Sequence, residues 1–396
     1  MYISSERERI EPLKGCAMVG IIEGIMGITD ARPLVHGPMS CSSGHRMVFL
    51  FADKEPILPT TALTEEELVL GSQEKLKAAL YKAYELYQPK YLVIIITCAI
   101  SLSGEEYNSI IDKFESEHDC KVSVLDGSGL YGEEVDGFNQ LYNDLWKRFE
   151  INNNINSNTL SLDGMALSDV NAEGNYNILY NLLTNYFNLK IGPSLFMNLN
   201  INNDLNGYKN SQKIKIGHLW NNYEIKDNKP APYGIEGTYQ WLQWFANQFS
   251  KKLKPELEKD YKQYKDKFKE LTKGHKYNEL KIVVEGDSWY SLGLANFLIN
   301  ELGSQVLLST DNYGIKYNKK HGIIKEIYDD MGGYELFIKA KEFKPDIVFG
   351  SSYIRCKKKW EIVPYTQPIY HLYDNDIDLM GFTGTFNLLE ILNDIK

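Results

Sequence analysis

The chain has 396 residues, 43% of them hydrophobic and 24% charged, and a formal net charge of −10. That length suits two or three domains of about 100–200 residues each, and the composition is that of a folded chain. The acidic balance argues against a nucleic-acid surface.

The opening residues, MYISSERERIEPLKG, are charged and lack the apolar core of a secretory signal. The most apolar stretch, YLVIIIT at 91–97, is about a third of the length a membrane span needs. A cytoplasmic location, with neither nucleic acid nor membrane as partner, is the expectation.

Residues 1–150 alternate helix-like and strand-like segments. The pattern at 76–86 predicts a helix, 91–97 a buried strand, and 121–125 (KVSVL) the next strand, with Gly104-Glu105-Glu106 opening the helix between them. Residues 151–165 are polar and Asn-rich and read as a linker or loop. Alternation resumes with a helix at 175–186, a strand at 213–219 and a helix at 239–249 after a glycine-containing break. The run 251–275 carries charges of both signs and reads as a long solvated helix. Strands are then expected at 280–285, 305–309, 346–350 and 368–371, and helices at 291–302, 334–341 and 384–395. Strands alternating with helices predict α/β architecture with doubly wound parallel sheets. The blocks fall at 1–150, 151–275 and 276–396.

Five cysteines, an odd number in a long chain, make a poor disulfide framework. A buried small hydrophobe is the plain reading of any one of them. Three, however, occupy the same kind of place. Cys16 precedes a Gly-punctuated apolar stretch, Cys41 follows the Gly37-Pro38 turn, and Cys98 ends the strand at 91–97. Ligands gather at the carboxyl ends of strands in doubly wound sheets, thiolates hold iron–sulfur clusters, and glycine beside them permits close backbone approach. Zinc is disfavoured, because the chain has neither CxxC nor HExxH. Cys120, at a strand start, is assigned to packing.

These residues resemble a known family. Leu34-Val-His36-Gly37-Pro38-x-x-Cys41 is similar to the first signature of the nitrogenase component 1 superfamily, with Ser40 where Gly or Ala is usual. Thr97-Cys98, followed by Gly104-Glu105-Glu106, resembles the second signature, with Glu-Glu in place of Asp-Asp or Asp-Asn. Gly15-Cys16-Ala17 stands where the family's earliest cluster cysteine stands. Similar turns recur at 232–238, 345–352 and 381–384, so the likeness covers nearly the whole chain.

The resemblance implies three Rossmann-like domains around a central cleft, the first of them (1–150) bearing the cluster cysteines. The second (151–275) would end in the charged linker helix, and the third would be 276–396. It implies that Cys16, Cys41 and Cys98 bind an interfacial iron–sulfur cluster, either [4Fe-4S] or of P-cluster type. It also implies a homodimer, or a heterodimer or heterotetramer with a paralogous component 1 subunit, and a separate ATP-dependent iron–sulfur reductase as electron donor. No P-loop occurs, so this chain is not that ATPase.

A second metallocofactor or a tetrapyrrole would occupy the cleft. His371 stands at the spacing from Gly381 of the family's cofactor histidine, while residues 190–240 hold no cysteine to match the cofactor cysteine. Arg355 and Lys357 are suited to clamping carboxylates, with Cys356 between them; a solvated basic loop is the plain alternative, as a core histidine is for His371. The function implied is that of an electron-transferring oxidoreductase. A non-catalytic scaffold for metallocluster assembly, or a structural partner of an active paralogue, is the alternative.

Overall fold

The computed structural model describes residues 2–4, 15–48, 56–149, 159–217, 229–311, 327–329, 333–352, 360–367, 369 and 377–394. Strand β1 (Tyr2–Ser4) is followed by α1 (Ala17–Met26), β2 (Ala31–His36), α2 (Met39–Val48), α3 (Glu65–Leu70) and α4 (Gln73–Tyr87). Then come β3 (Tyr91–Ile96), α5 (Cys98–Ser103), α6 (Asn108–Glu117), β4 (Lys121–Asp126) and α7 (Glu134–Arg148). Strands β2, β3 and β4 form a parallel sheet with β3 in the middle. Tyr91, Val93 and Ile95 of β3 face the core shared with α1 and α7, while Leu92 and Ile94 face α4 and α6. A strand covered on both faces has no polar side, which is why YLVIII reads as one apolar run.

The second sheet, also parallel, has the order β6-β5-β7 and is built from β5 (Thr159–Asp163), α8 (Ala172–Tyr186), β6 (Lys190–Ile191), α9 (Ile201–Asn210) and β7 (Gln212–Lys215). Helices α10 (Ile235–Gln248) and α11 (Glu256–Thr272) lead onward. The third sheet uses β8 (Lys281–Asp287), β9 (Gln305–Asp311), β10 (Ile327–Asp329), β11 (Ile347–Gly350) and β12 (Glu361–Pro364). With them go α12 (Ser288–Asn300), α13 (Gly333–Phe343) and α14 (Gly381–Asn393). Its order is β1-β10-β9-β8-β11-β12, every pairing parallel. Alternation repeats here: Ile282 and Val284 face one core, Val283 and Val348 the other. The chain is α/β with helices against parallel sheets, as its strand and helix alternation predicts. No described helix is long and apolar enough to cross a membrane.

Several local expectations need correction. TLSLD at 159–163 is strand β5, not loop. Leu160 and Leu162 enter the core, whereas Ser161 accepts a 2.6 Å hydrogen bond from Ser211. That is a half-apolar strand of period two, its signal diluted by the asparagines before it. Gly104-Glu105-Glu106 opens no helix: Gly104 ends α5 in the left-handed region at φ 68°, and α6 starts at Asn108. Helix α10 starts at Ile235, directly after Gly234 at φ 78°. Strand β12 was not foreseen, and of the strand expected at 368–371 only residue 369 is described.

Candidate metal centre

Cys41 and Cys98 follow the carboxyl ends of the neighbouring strands β2 and β3. Cys41 is the third residue of α2, half-buried against the core that α1 and α7 share with the sheet. Cys98 is the first residue of α5 and is exposed. Cys16 reaches the same rim from elsewhere. It is the N-cap of α1, and that helix start is held on the loop after β4: Ala17 N–H donates to Gly132 O at 3.0 Å and Met18 N–H to Gly127 O at 3.0 Å. Gly129 has no side chain, and a Cβ there would lie 3.6 Å from Cys16 Cβ. Thus three residues that are far apart in sequence stand beyond the ends of β2, β3 and β4.

Electrostatics binds the three together. Burial pushes the Cys16 thiol above its ordinary pKa, and the negative charge of Cys98 adds to the shift, against the backbone N–H groups of Met18 and Val19. Burial and then the charge of Cys98 raise Cys41 likewise, opposed by the side chains of Ser40 and Thr97. Cys98 is therefore within charge–charge reach of both other sulfurs. Without a cation, charge on Cys98 disfavours the thiolates of Cys16 and Cys41. A bound metal inverts that logic, because its charge is the largest in the site and its thiol ligands deprotonate. The three helix starts add partial positive charge on the same rim. Among the described residues no three His, Cys, Asp or Glu side chains stand together as a site for one metal ion. Cys120, by contrast, is buried under α4 and α6 with its thiol pushed up to about 12, chiefly by burial, and belongs to packing.

The turn before Cys41 is clamped. His36 ends β2 fully buried, and desolvation lowers its pKa to about 4, so the ring is neutral. Nδ1 lies 3.1 Å from Thr61 Oγ1; Nε2 lies 2.9 Å from Ser72 Oγ and 3.2 Å from the Tyr107 hydroxyl. Gly37 N–H donates to Thr61 Oγ1 at 3.0 Å, and Leu63 N–H to Gly37 O at 2.9 Å. Ser72 donates its hydroxyl to Glu105 Oε2 at 2.8 Å and its N–H to the same carboxylate at 3.1 Å. Gly37 must be glycine, since a Cβ there would stand 2.1 Å from Thr97 Oγ1. The first and second signatures are thereby joined through residues that neither contains.

A family model for nitrogenase component 1 type oxidoreductases matches residues 16–188 and 208–396. The chain belongs to that family. Among relatives, the nitrogenase molybdenum-iron protein beta chain of Clostridium pasteurianum is 31% identical over 135 residues, 33% of this chain and 30% of that protein. The nitrogenase molybdenum-iron protein alpha chain of Methanosarcina barkeri is 30% identical over 128 residues, 30% of this chain and 24% of that protein. The nitrogenase iron-molybdenum cofactor biosynthesis protein NifE of Methanosarcina barkeri is 26% identical over 130 residues, 32% of this chain and 28% of that protein. The matched segments thus span less than a third of these relatives' lengths. The fold likeness extends further: the solved structure of nitrogenase Cp1 at pH 6.5 aligns with a TM-score of 0.74 at 17% identity, over 99% of this chain and 94% of that one.

Of the site residues read from the component 1 signatures, Cys16, Cys41 and Cys98 share one rim. His371, Arg355, Cys356 and Lys357 lie outside the described residues. Thr61, Ser72 and Tyr107 were missed. Ser72 carried the one usable signal, a serine directly before the helical pattern of α4. Its hydroxyl goes to Glu105 instead of capping its own helix.

Proposed function

We propose that this chain is an electron-transferring component 1 subunit in which Cys16, Cys41 and Cys98 hold an iron–sulfur cluster, [4Fe-4S] or P-cluster type. The cluster would be shared with, or covered by, a second component 1 subunit, and an ATP-dependent iron–sulfur reductase would supply the electrons. The observation that supports this reading is the placement of Cys16, Cys41 and Cys98 on one rim beyond β2, β3 and β4, with Cys98 electrostatically coupled to both others. Such a cluster supplies one-electron relay at potentials that reach down to about −700 mV. The chain's own residues do the rest. Thr97 and Ser40 favour the thiolate of Cys41, the N–H groups of Met18 and Val19 favour that of Cys16, and the Thr61–His36–Ser72 clamp fixes the turn that presents Cys41.

The surroundings suit an interface. Met39, Leu102, Leu130 and Tyr131, on the segments that follow β2, β3 and β4, are 56%, 77%, 62% and 52% exposed. Apolar side chains gathered around a site mark a surface that another protein covers. The cleft residues His371, Arg355, Cys356 and Lys357 would hold a substrate, a second metallocofactor or a tetrapyrrole.

Anaerobic purification with metal analysis tests the assignment. The wild type is expected to hold about four iron atoms per chain or fewer, the lower figure where two chains share one cubane cluster, and Cys41→Ala to lose the iron and its visible absorption. Unchanged iron in Cys41→Ala refutes the ligand set. The likeness to a cofactor biosynthesis protein keeps one second reading, a scaffold on which a metallocluster matures. Iron or molybdenum that transfers to an acceptor protein on mixing would select it.

A further inference from the structure

The clamp around His36 has a direction. A carboxylate only accepts hydrogen bonds, so the Ser72 hydroxyl proton is committed to Glu105, 2.8 Å away. Ser72 Oγ, 2.9 Å from His36 Nε2, therefore presents a lone pair to it, and Nε2 carries the ring proton. Nδ1 is then bare and accepts from Thr61 Oγ1–H at 3.1 Å, closer than the 3.5 Å to Gly37 O. Thr61 Oγ1 in turn accepts the Gly37 N–H. One ordered chain runs from Glu105, seven residues past Cys98, through Ser72, His36 and Thr61 to the backbone of Gly37, four residues before Cys41.

We propose that Glu105, Ser72, His36 and Thr61 form a directional hydrogen-bond relay that positions the Cys41 turn relative to the Cys98 helix, with Glu105 setting its polarity. This explains why an acidic residue stands after the second cysteine without being a ligand: it is tied to Ser72 at the start of α4 and, through it, to the first cysteine's turn. Glu106, its exposed neighbour, offers its backbone oxygen to Gln73. The members are positioning residues. Their relevance to the cluster rests on the function proposed above, whereas their effect on the thiols does not.

The test uses the full-length, metal-free protein. Iodoacetamide labelling is followed cysteine by cysteine by mass spectrometry. A half-buried thiol reacts through local opening of its turn, and loss of one buried hydrogen bond makes that opening about tenfold more frequent. Ser72→Ala and Glu105→Gln are expected to speed labelling of Cys41 about tenfold. Cys16, held by a different loop, and the Glu106→Gln variant should stay at the wild-type rate. Equal Cys41 rates in wild type, Ser72→Ala and Glu105→Gln overturn the relay. If either variant fails to fold, the wild type decides through the nitrogen-15 shifts of His36, assigned by their loss in His36→Gln. Protonation at Nε2 supports the relay, and protonation at Nδ1 overturns it. Iron content of the wild type is read separately. An iron-free wild type with fast Cys41 labelling in the variants would remove the cluster and leave the relay standing.

Discussion

His36 shows what a single buried ring does to this protein's response to acid. Unfolded, it binds a proton below its ordinary pKa of 6.5; folded, it does so only near 4. Between those values the unfolded state holds more protons, so stability falls as pH falls through that window and is fully present above it. The shift corresponds to about 3 kcal/mol. Urea unfolding at pH 7 and pH 4.5 is expected to show that loss in the wild type and a smaller one in His36→Gln. Equal losses in both would mean that other groups carry the acid sensitivity. The same residue shows what was legible. His36, Cys41, Cys98 and Glu105 stand out in the sequence because each sits beside or shortly after glycine, proline or the end of an apolar run. Thr61 does not, because a threonine on a loop carries no periodic signal, and Ser72 shows only as a serine before the α4 pattern; their roles exist only once β2, α4 and the loop before α3 are packed together.

At the scale of elements, the position of Cys16 depends on how closely two helices approach. Helix α1 crosses α7 at a pair of glycines. A Cβ at Gly20 would lie 1.9 Å from Glu134 O, and one at Gly137 would lie 1.9 Å from Ala17 O. The obstructing atoms are helix backbone, which cannot swing aside as a side chain does. Gly137→Ala must therefore push α1 away from α7, at a cost of about 2 kcal/mol. Because Ala17 directly follows the ligand candidate Cys16, the same shift should lower iron retention. A reduced urea midpoint together with reduced iron per chain is the expected outcome; a lower midpoint with full iron would separate the α1–α7 contact from the cluster. Elements with two apolar faces, such as β3 and β8, were plain in the sequence. Those escaping it were short or weakly apolar: β5, whose serine face is paired with Ser211; β12, four residues long; and α5, a six-residue helix. Helix starts shifted where glycine takes the left-handed region, as at Gly234 before α10, since one such residue sets a boundary that apolar periodicity does not mark.

Across the whole molecule, the apolar cores do not respect the sheets. Leu195, Phe196 and Leu199, beyond β6, pack in the core of the first sheet with α1 and α7, while Leu160 and Ile214 of the second sheet share a core with Ile282 and Phe349 of the third. Even β1, at the start of the chain, lies at the edge of the carboxyl-terminal sheet. Continuous cores of this kind favour one cooperative body, in which the rim bearing Cys16, Cys41 and Cys98 is presented rigidly instead of on a separately moving lobe. The exposed apolar side chains on that rim then have two consequences, one for assembly and one for the cluster. Leu102 is 77% exposed on α5, four residues after Cys98. It contributes little to the folded monomer, so Leu102→Glu should leave the urea midpoint within about 0.5 kcal/mol of wild type. At the centre of an interface, however, a buried and unpaired carboxylate costs several kcal/mol, enough to dissociate a dimer at micromolar concentration. Sedimentation velocity is expected to show an assembly for the wild type, alone or with its paralogue, and a monomer for Leu102→Glu, with iron lost more quickly in air. Retention of the wild-type assembly by Leu102→Glu would place the subunit interface on another face and leave the cysteine rim to the electron donor.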